Sequence, residues 1–302
     1  MVDVVAVGTV AFDSIRTPFG QVDRALGGTA SHFTLAASFF AKPGIVSVVG
    51  KDFPKEHRDF FAARNIDTAG LQVADGKTFW WKGFYEYDMN EAHNEAVELN
   101  TFGRFVPKLP EQYKTAKFVF LGAIDPVQQG ALLKQFKNAD LIALDTKDFW
   151  INMPDKKQAI LDNLDKVDML LLNEWETRNL FQTPNLVKAA REALKAGPKW
   201  VIVKKGEHGA LLFSKSSYFF APGYPLENVV DPTGAGDSFA GGLMGWLAKT
   251  RDLAEPNLRK AIVYGSVLAS YNAEGFGLDN LKKIQEEHIE TRFAAFRRLV
   301  HF

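Results

Sequence analysis

The run Val229-Val-Asp-Pro-Thr-Gly-Ala-Gly-Asp-Ser-Phe-Ala-Gly-Gly242 sets a carboxylate, Asp237, inside a glycine-rich turn. Pro232, Gly234 and Gly236 tighten the turn, and Asp237-Ser238 reads as a helix start continued by Leu243, Met244, Trp246 and Leu247. Glycines ahead of a helix amino terminus leave backbone N–H groups open to an anion, so the turn outlines a phosphate site. A carboxylate there repels phosphate. It makes chemical sense where it must take a proton from a hydroxyl that attacks phosphorus. The plainer alternative is that Asp237 only caps the helix.

Two other glycine motifs do not fit. A P-loop needs Gly-x4-Gly-Lys-Ser/Thr, whereas Gly44 to Gly50-Lys51 has the wrong gap and is followed by Asp52. A dinucleotide fingerprint needs a glycine or alanine three positions after Gly236, where Phe239 stands.

The elements that must position this turn follow from periodicity. Short apolar runs at Val4–Val7, Ile45–Val49, Phe118–Leu121, Leu141–Leu144, Met169–Leu172 and Trp200–Val203 are apolar on both faces. That pattern predicts a parallel sheet covered by helices on each side, an α/β sandwich. Helices are expected over Ser31–Phe40, Glu56–Arg64, Val187–Ala196, Ser238–Lys249 and Asn257–Tyr271, and the helical spacing of Ile289, Phe293, Phe296 and Val300 packs a last one on the core. Two stretches, Asp13–Leu26 and Thr78–Thr101, break the rhythm with alternating aromatic and polar residues. They predict antiparallel strands outside the main sheet, either a flap over one sheet edge or an ordinary hairpin with surface aromatics. Alternation puts Phe79 and Trp81 on one side and Trp80 and Lys82 on the other. One tryptophan would then face an acceptor, and the other solvent or a partner subunit.

Composition narrows the class. The 302 residues carry 36 basic and 36 acidic side chains, so no bulk charge draws the chain to nucleic acid or an anionic membrane. With no cysteine, disulfides, thiolate metal sites and cysteine nucleophiles are excluded. The amino terminus lacks a basic and apolar leader and no apolar run reaches a membrane span, which predicts a cytoplasmic protein.

The string from Asp231 to Gly242 resembles the carboxy-terminal signature of the ribokinase-like (PfkB) carbohydrate kinases, and the resemblance runs along nearly the whole chain. Val7-Gly8 with Asp13 is similar to the family's first strand and substrate-binding aspartate, and Gly27-Gly28 to its paired glycines beside the sugar. Val49-Gly-Lys-Asp52 and Asn65-Ile-Asp-Thr68 resemble its Gly-x-Asp and Gly-Val-Asp-Thr segments. Asn173-Glu-Trp-Glu176 matches Asn-x-x-Glu, which organises Mg²⁺ and phosphates, and Lys204-Lys-Gly206-Glu-His-Gly209 is similar to the turn beside the nucleotide. Taken alone, Asn173 and Glu176 read as a solvated helix start, and Gly206 and Gly209 as a hairpin. His32 and Lys147 stand where relatives often have asparagine, which alters the acceptor contacts.

The resemblance implies a single domain over residues 1–302, a mostly parallel sheet between helices with a β-rich lid at about 13–26 and 78–101, and an ATP-dependent kinase using Mg²⁺ on a sugar or nucleoside hydroxyl. Asp237 is then the base, with the N–H groups of Gly234, Ala235 and Gly236 as anion hole. Asp13, Gly27, Gly28 and His32 face the acceptor, and Lys204, Gly206 and Gly209 face ATP. Asn173 and Glu176 hold metal-bound water, and Asp231 with Thr233 forms a monovalent-cation site of the potassium type. An aromatic lid face with Phe79, Trp80, Trp81, Phe84 and Tyr85 serves either a nucleobase or a homodimer interface. The alternative class is a catalytically idle nucleotide- or ligand-binding regulator on the same fold.

Overall fold

The computed structural model describes residues 2–301. In chain order the strands are β1 (Val4–Val7), β2 (Ala11–Thr17), β3 (Gly20–Gly27), β4 (Pro43–Gly50), β5 (Asp67–Ala74), β6 (Phe79–Tyr85), β7 (Ala92–Glu98), β8 (Phe118–Leu121), β9 (Leu141–Asp145), β10 (Met169–Asn173), β11 (Trp200–Lys204), β12 (Ala210–Phe213) and β13 (Tyr218–Ala221). The helices are α1 (Thr29–Ala37), α2 (Lys55–Ala63), α3 (Pro126–Leu133), α4 (Asp148–Ile151), α5 (Pro154–Leu161), α6 (Glu174–Leu180), α7 (Leu186–Ala196), α8 (Ala235–Thr250), α9 (Glu255–Ala273) and α10 (Glu286–Leu299).

Nine strands form one sheet in the order β13-β12-β11-β10-β9-β8-β1-β4-β5, parallel from β5 to β11 and antiparallel over β12 and β13. The doubly apolar runs explain its layers, because successive strand side chains enter opposite cores. Val5, Val7, Val119, Leu121, Leu170 and Leu172 pack into one with Leu132, Ile160 and Ala190 of α3, α5 and α7. Val4, Ala6, Phe118, Phe120 and Leu171 pack into the other with residues of α1, α8, α9 and α10. The three-layer sandwich expected from the sequence is the one observed.

A four-stranded sheet, in the order β3-β2-β6-β7, stands apart. Each hairpin in it is antiparallel, but β2 and β6 join them in parallel, where the sequence suggested only antiparallel strands. Asp52, just past β4, ties both hairpins to the large sheet. Its Oδ1 accepts from the Thr78 N–H and hydroxyl, each at 2.7 Å, and its Oδ2 from Arg24 at 3.4 Å.

The β2–β6 register decides which aromatics face where. Asp13 pairs with Trp81 and Phe12 with Trp80, so Trp81 lies on the Asp13 face and Trp80 on the opposite one. Trp80 does not stand out toward solvent or a subunit, as alternation alone suggested. It packs on the cluster containing Phe12 and Leu26, and its indole N–H donates to Ser14 Oγ at 2.9 Å. Ser14 is its neighbour only because β2 runs alongside β6.

Candidate active site

The large sheet delivers its polar residues at the carboxyl ends of parallel strands, where crevices of open α/β sheets lie. β9 ends on Asp145, β10 on Asn173 and β11 on Lys204, while the chain leaves β1 through Gly8 and Thr9 toward Asp13 on β2. Lys204 Nζ lies 2.5 Å from Asp145 Oδ2. Burial alone would lower the Lys204 pKa, but Asp145 and Glu176 outweigh it and raise it, so the ammonium stays charged.

Across from this pair stands the glycine-rich turn. Helix α8 begins at Ala235, three residues earlier than expected, with Gly234 as its left-handed N-cap at φ 75°. Asp237 therefore sits in the first turn and not at the cap, and no side chain caps this helix. Its carboxyl is raised to about 6, first by burial and then by Asp145, against the pull of Lys204, Lys147 and a Thr29 hydrogen bond. It is nonetheless partly accessible. Ala235 and Gly236 occupy the first two helical positions; the Ala235 N–H turns back to the Pro232 carbonyl at 3.1 Å, and the Gly236 N–H has no partner within the helix. Lys204 reaches the same turn: a Cβ on Gly236 would lie 3.4 Å from its Nζ.

Asp13 approaches from the smaller sheet, 5% exposed. Burial first, and then the charges of Asp231 and Asp237, raise its carboxyl to about 7, while a Gly28 backbone hydrogen bond opposes the shift. Gly27 has no alternative here, because any Cβ would overlap the Asp13 carboxylate. Gly28 is the N-cap of α1. Asp13, Asp231 and Asp237 thus converge, although 218 residues separate Asp231 from Asp13 (231 − 13). Tyr85, on the Asp13 face of the smaller sheet, accepts a hydrogen bond from the Thr233 hydroxyl at 3.1 Å.

The remaining expected residues fall nearby. Asn173 and Glu176 form a reciprocal capping box at the start of α6, with Glu176 N to Asn173 Oδ1 at 2.7 Å and Asn173 N to Glu176 Oε2 at 2.8 Å. Glu176 is not the solvated residue of an ordinary helix start. It is buried, and burial and Asp145 push its carboxyl up. Gly206 and Gly209 flank a short 3-10 turn between β11 and β12, so the hairpin reading of these glycines holds as well. Asp231 is fully buried, accepting from Thr233 N at 2.9 Å and Gly277 N at 3.0 Å, and burial raises its pKa. His32 is 1% exposed, with its ring against Gly234.

Asp145 and Asn272 were missed from the sequence. Asp145 had a usable signal, a carboxylate ending an apolar strand of a parallel sheet. Asn272 lies inside a helix among buried residues and offers none.

Among the described residues no group of three or more His, Asp, Glu or Cys side chains is spaced to hold a metal ion directly. The donor set suits Mg²⁺ differently. Asp145, Glu176 and Asp237 place three carboxylates around Lys204, leaving negative charge for an ion that keeps its waters and binds phosphate oxygens.

A family model described as pfkB family carbohydrate kinase matches residues 1–284. The cytidine kinase of Thermococcus kodakarensis is 31% identical over 259 residues, covering 84% of this chain and 92% of that protein. Among solved structures, a ribokinase II from E. coli in complex with ATP and Mg²⁺ superposes with a TM-score of 0.82 at 20% identity, covering 98% of this chain and all of that one. The nucleoside kinase of Methanocaldococcus jannaschii, an archaeal member of the ribokinase family, gives 0.78 at 19%, covering 97% and 98%. The chain belongs to the pfkB family of carbohydrate kinases, on the ribokinase-like fold. ATP and Mg²⁺ are the expected phosphoryl donor and metal of that family.

Proposed function

We propose that the protein transfers a phosphoryl group from ATP to the primary hydroxyl of a nucleoside, with Asp237 as general base. The observation that carries this reading is the Asp237 carboxylate itself. It caps nothing, lies within a helix start that attracts anions, and is held near pH 6 close to Lys204 and Asp13. A binder gains nothing from a carboxylate facing a phosphate, whereas a hydroxyl nucleophile needs a base in reach.

In this reading Asp13, with Gly27 and Gly28 behind it, holds the sugar hydroxyls, and Asp237 accepts the proton of the attacking hydroxyl. The N–H groups around Gly234, Ala235 and Gly236 receive charge that develops on the transferring oxygens. Lys204, Gly206 and Gly209 line the nucleotide side. Asn173 and Glu176 would hold water on Mg²⁺, which when bound neutralises phosphate charge. Asp231 and the Thr233 carbonyl suit a monovalent cation such as K⁺, since the buried Asp231 carboxylate receives only two N–H groups.

Two facts favour a nucleoside over a free sugar. Trp81 shares the Asp13 face, where an indole can cover a base, and the 31% identical relative is a cytidine kinase. The test is ATP turnover with and without a panel of pentoses, hexoses and nucleosides, on the wild type and on Asp237→Asn. The variant should bind ATP normally and lose turnover by about 10²–10⁴. Nucleotide binding without acceptor-dependent turnover in the wild type would instead identify an idle regulator.

A further inference from the structure

His32 and Asn272 lie 240 residues apart, on α1 and α9, and meet beneath the turn that begins α8. Asn272 is fully buried and its amide is fully committed in direction. Its Nδ2 donates to the Thr233 carbonyl at 2.7 Å, so its Oδ1 faces the other way. That oxygen accepts from the Ser238 hydroxyl at 3.0 Å and lies 2.8 Å from His32 Nδ1. An oxygen cannot donate, so His32 Nδ1 carries the hydrogen. Burial depresses the imidazole to about 4, which leaves it neutral and Nε2 bare. Nε2 is buried and has no hydrogen-bond partner among the described residues, an uncommon condition.

The ring also fills space that the turn requires. Gly234 stands in the left-handed region, and a Cβ there would overlap the His32 ring atoms. The turn is thus held at its Thr233 carbonyl by Asn272, at Ser238 by the same Asn272, and at Gly234 by the face of His32. Anion-hole donors work by being fixed before charge develops, and small misplacement of such donors costs rate more than binding.

We propose that His32 and Asn272 act as one positioning unit for the anion-binding turn, the imidazole bracing Gly234 from behind while Asn272 fixes Thr233 and Ser238. This rests on the reading of that turn as the phosphoryl site. It gives His32 a role away from the acceptor, in keeping with its burial. The acceptor hydroxyls are left to Asp13.

The experiment pairs His32→Phe, which keeps a ring under Gly234 but removes the donor, with the milder Ser238→Ala. Expected for His32→Phe is a fall in kcat of about 10–100-fold with both KM values within about threefold. Binding of MgADP with aluminium fluoride, a mimic of the transferring phosphoryl group, should weaken by a similar factor while MgADP alone binds as before. Ser238→Ala should move the same quantities in the same direction, by less. Unchanged kcat, or a loss confined to KM, would overturn the proposal. Two readouts need no substrate. In ¹⁵N-labelled protein His32 should be the Nδ1–H tautomer, and His32→Phe should speed hydrogen exchange at Ala235 and Gly236. An Nε2–H tautomer, or exchange identical to wild type, would also overturn it. A wild type that has these signatures but transfers no phosphoryl group would fail the kinase reading while leaving the brace intact.

Discussion

Lys204 and Asp145 end two strands, β11 and β9, that are separated in the sheet only by β10, and their 2.5 Å contact spans the end of that middle strand. Both side chains also act on Asp237, in opposite senses. Asp145 raises its pKa and Lys204 lowers it. Asp145→Asn therefore removes a repulsion and frees the ammonium. The acid limb of the pH profile of kcat/KM should move below pH 6, because the base ionises more easily. A limb that stays put or rises would mean that the pair does not set the Asp237 charge.

Asp13 connects the site to stability. Its folded pKa, about 7, lies above the ordinary value of 3.8. Between these the native state binds more protons than the unfolded chain. The stability Asp13 contributes is thus fully present below about pH 4 and is lost as pH rises through 7. Asp13→Asn should stabilise the ligand-free protein at pH 8 by on the order of 1–3 kcal/mol and flatten the pH dependence, while activity collapses. Urea unfolding at pH 5 and pH 8 measures both, and equal stabilities at pH 8 would count against a buried, strained carboxylate.

Glu176→Gln is a clean probe of the metal role, because glutamine also completes a capping box and α6 keeps its start. Magnesium titrations of activity should show a higher half-saturation with little change in melting temperature. An unaltered titration would confine Glu176 to capping.

The two tryptophans should separate fully. Trp81→Ala should weaken a nucleoside by roughly 1–3 kcal/mol, the range for base stacking in nucleic-acid complexes, and leave ribose and ATP unaffected. Trp80→Ala should lower the melting temperature, since it opens a gap beside Phe12 and leaves Ser14 Oγ with the Arg24 N–H as its remaining donor. Equal losses of ribose and nucleoside affinity in Trp81→Ala would make the acceptor a plain sugar.

Much of this was legible in the residues. Doubly apolar runs mark six of the seven parallel strands within two residues, and the glycine string marks the turn, because both depend on local chemistry; the edge strand β5 escapes because it is half exposed and carries no such run. The sequence alone starts α8 too late because Gly234, not Asp237, supplies the cap, and a glycine cap leaves no polar side chain to recognise. The parallel β2–β6 join escaped because alternation reports a strand's faces and not its neighbour. The place of His32 after Gly27-Gly28 suggests an acceptor ligand, and the contact of its Nδ1 with Asn272 is one that no local pattern connects to it.

The 240-residue reach of the His32–Asn272 contact also bears on how the molecule matures. Closing so long a loop is slow, and its entropy must be offset by contacts that form only near the native state. The sheet strands from β1 to β11 can pair before α8 and α9 arrive, whereas the turn cannot be braced until both have docked on α1. A ribosome-bound or refolding chain should therefore gain its sheet signal well before it gains turnover, so that competence is the last property of this fold to appear.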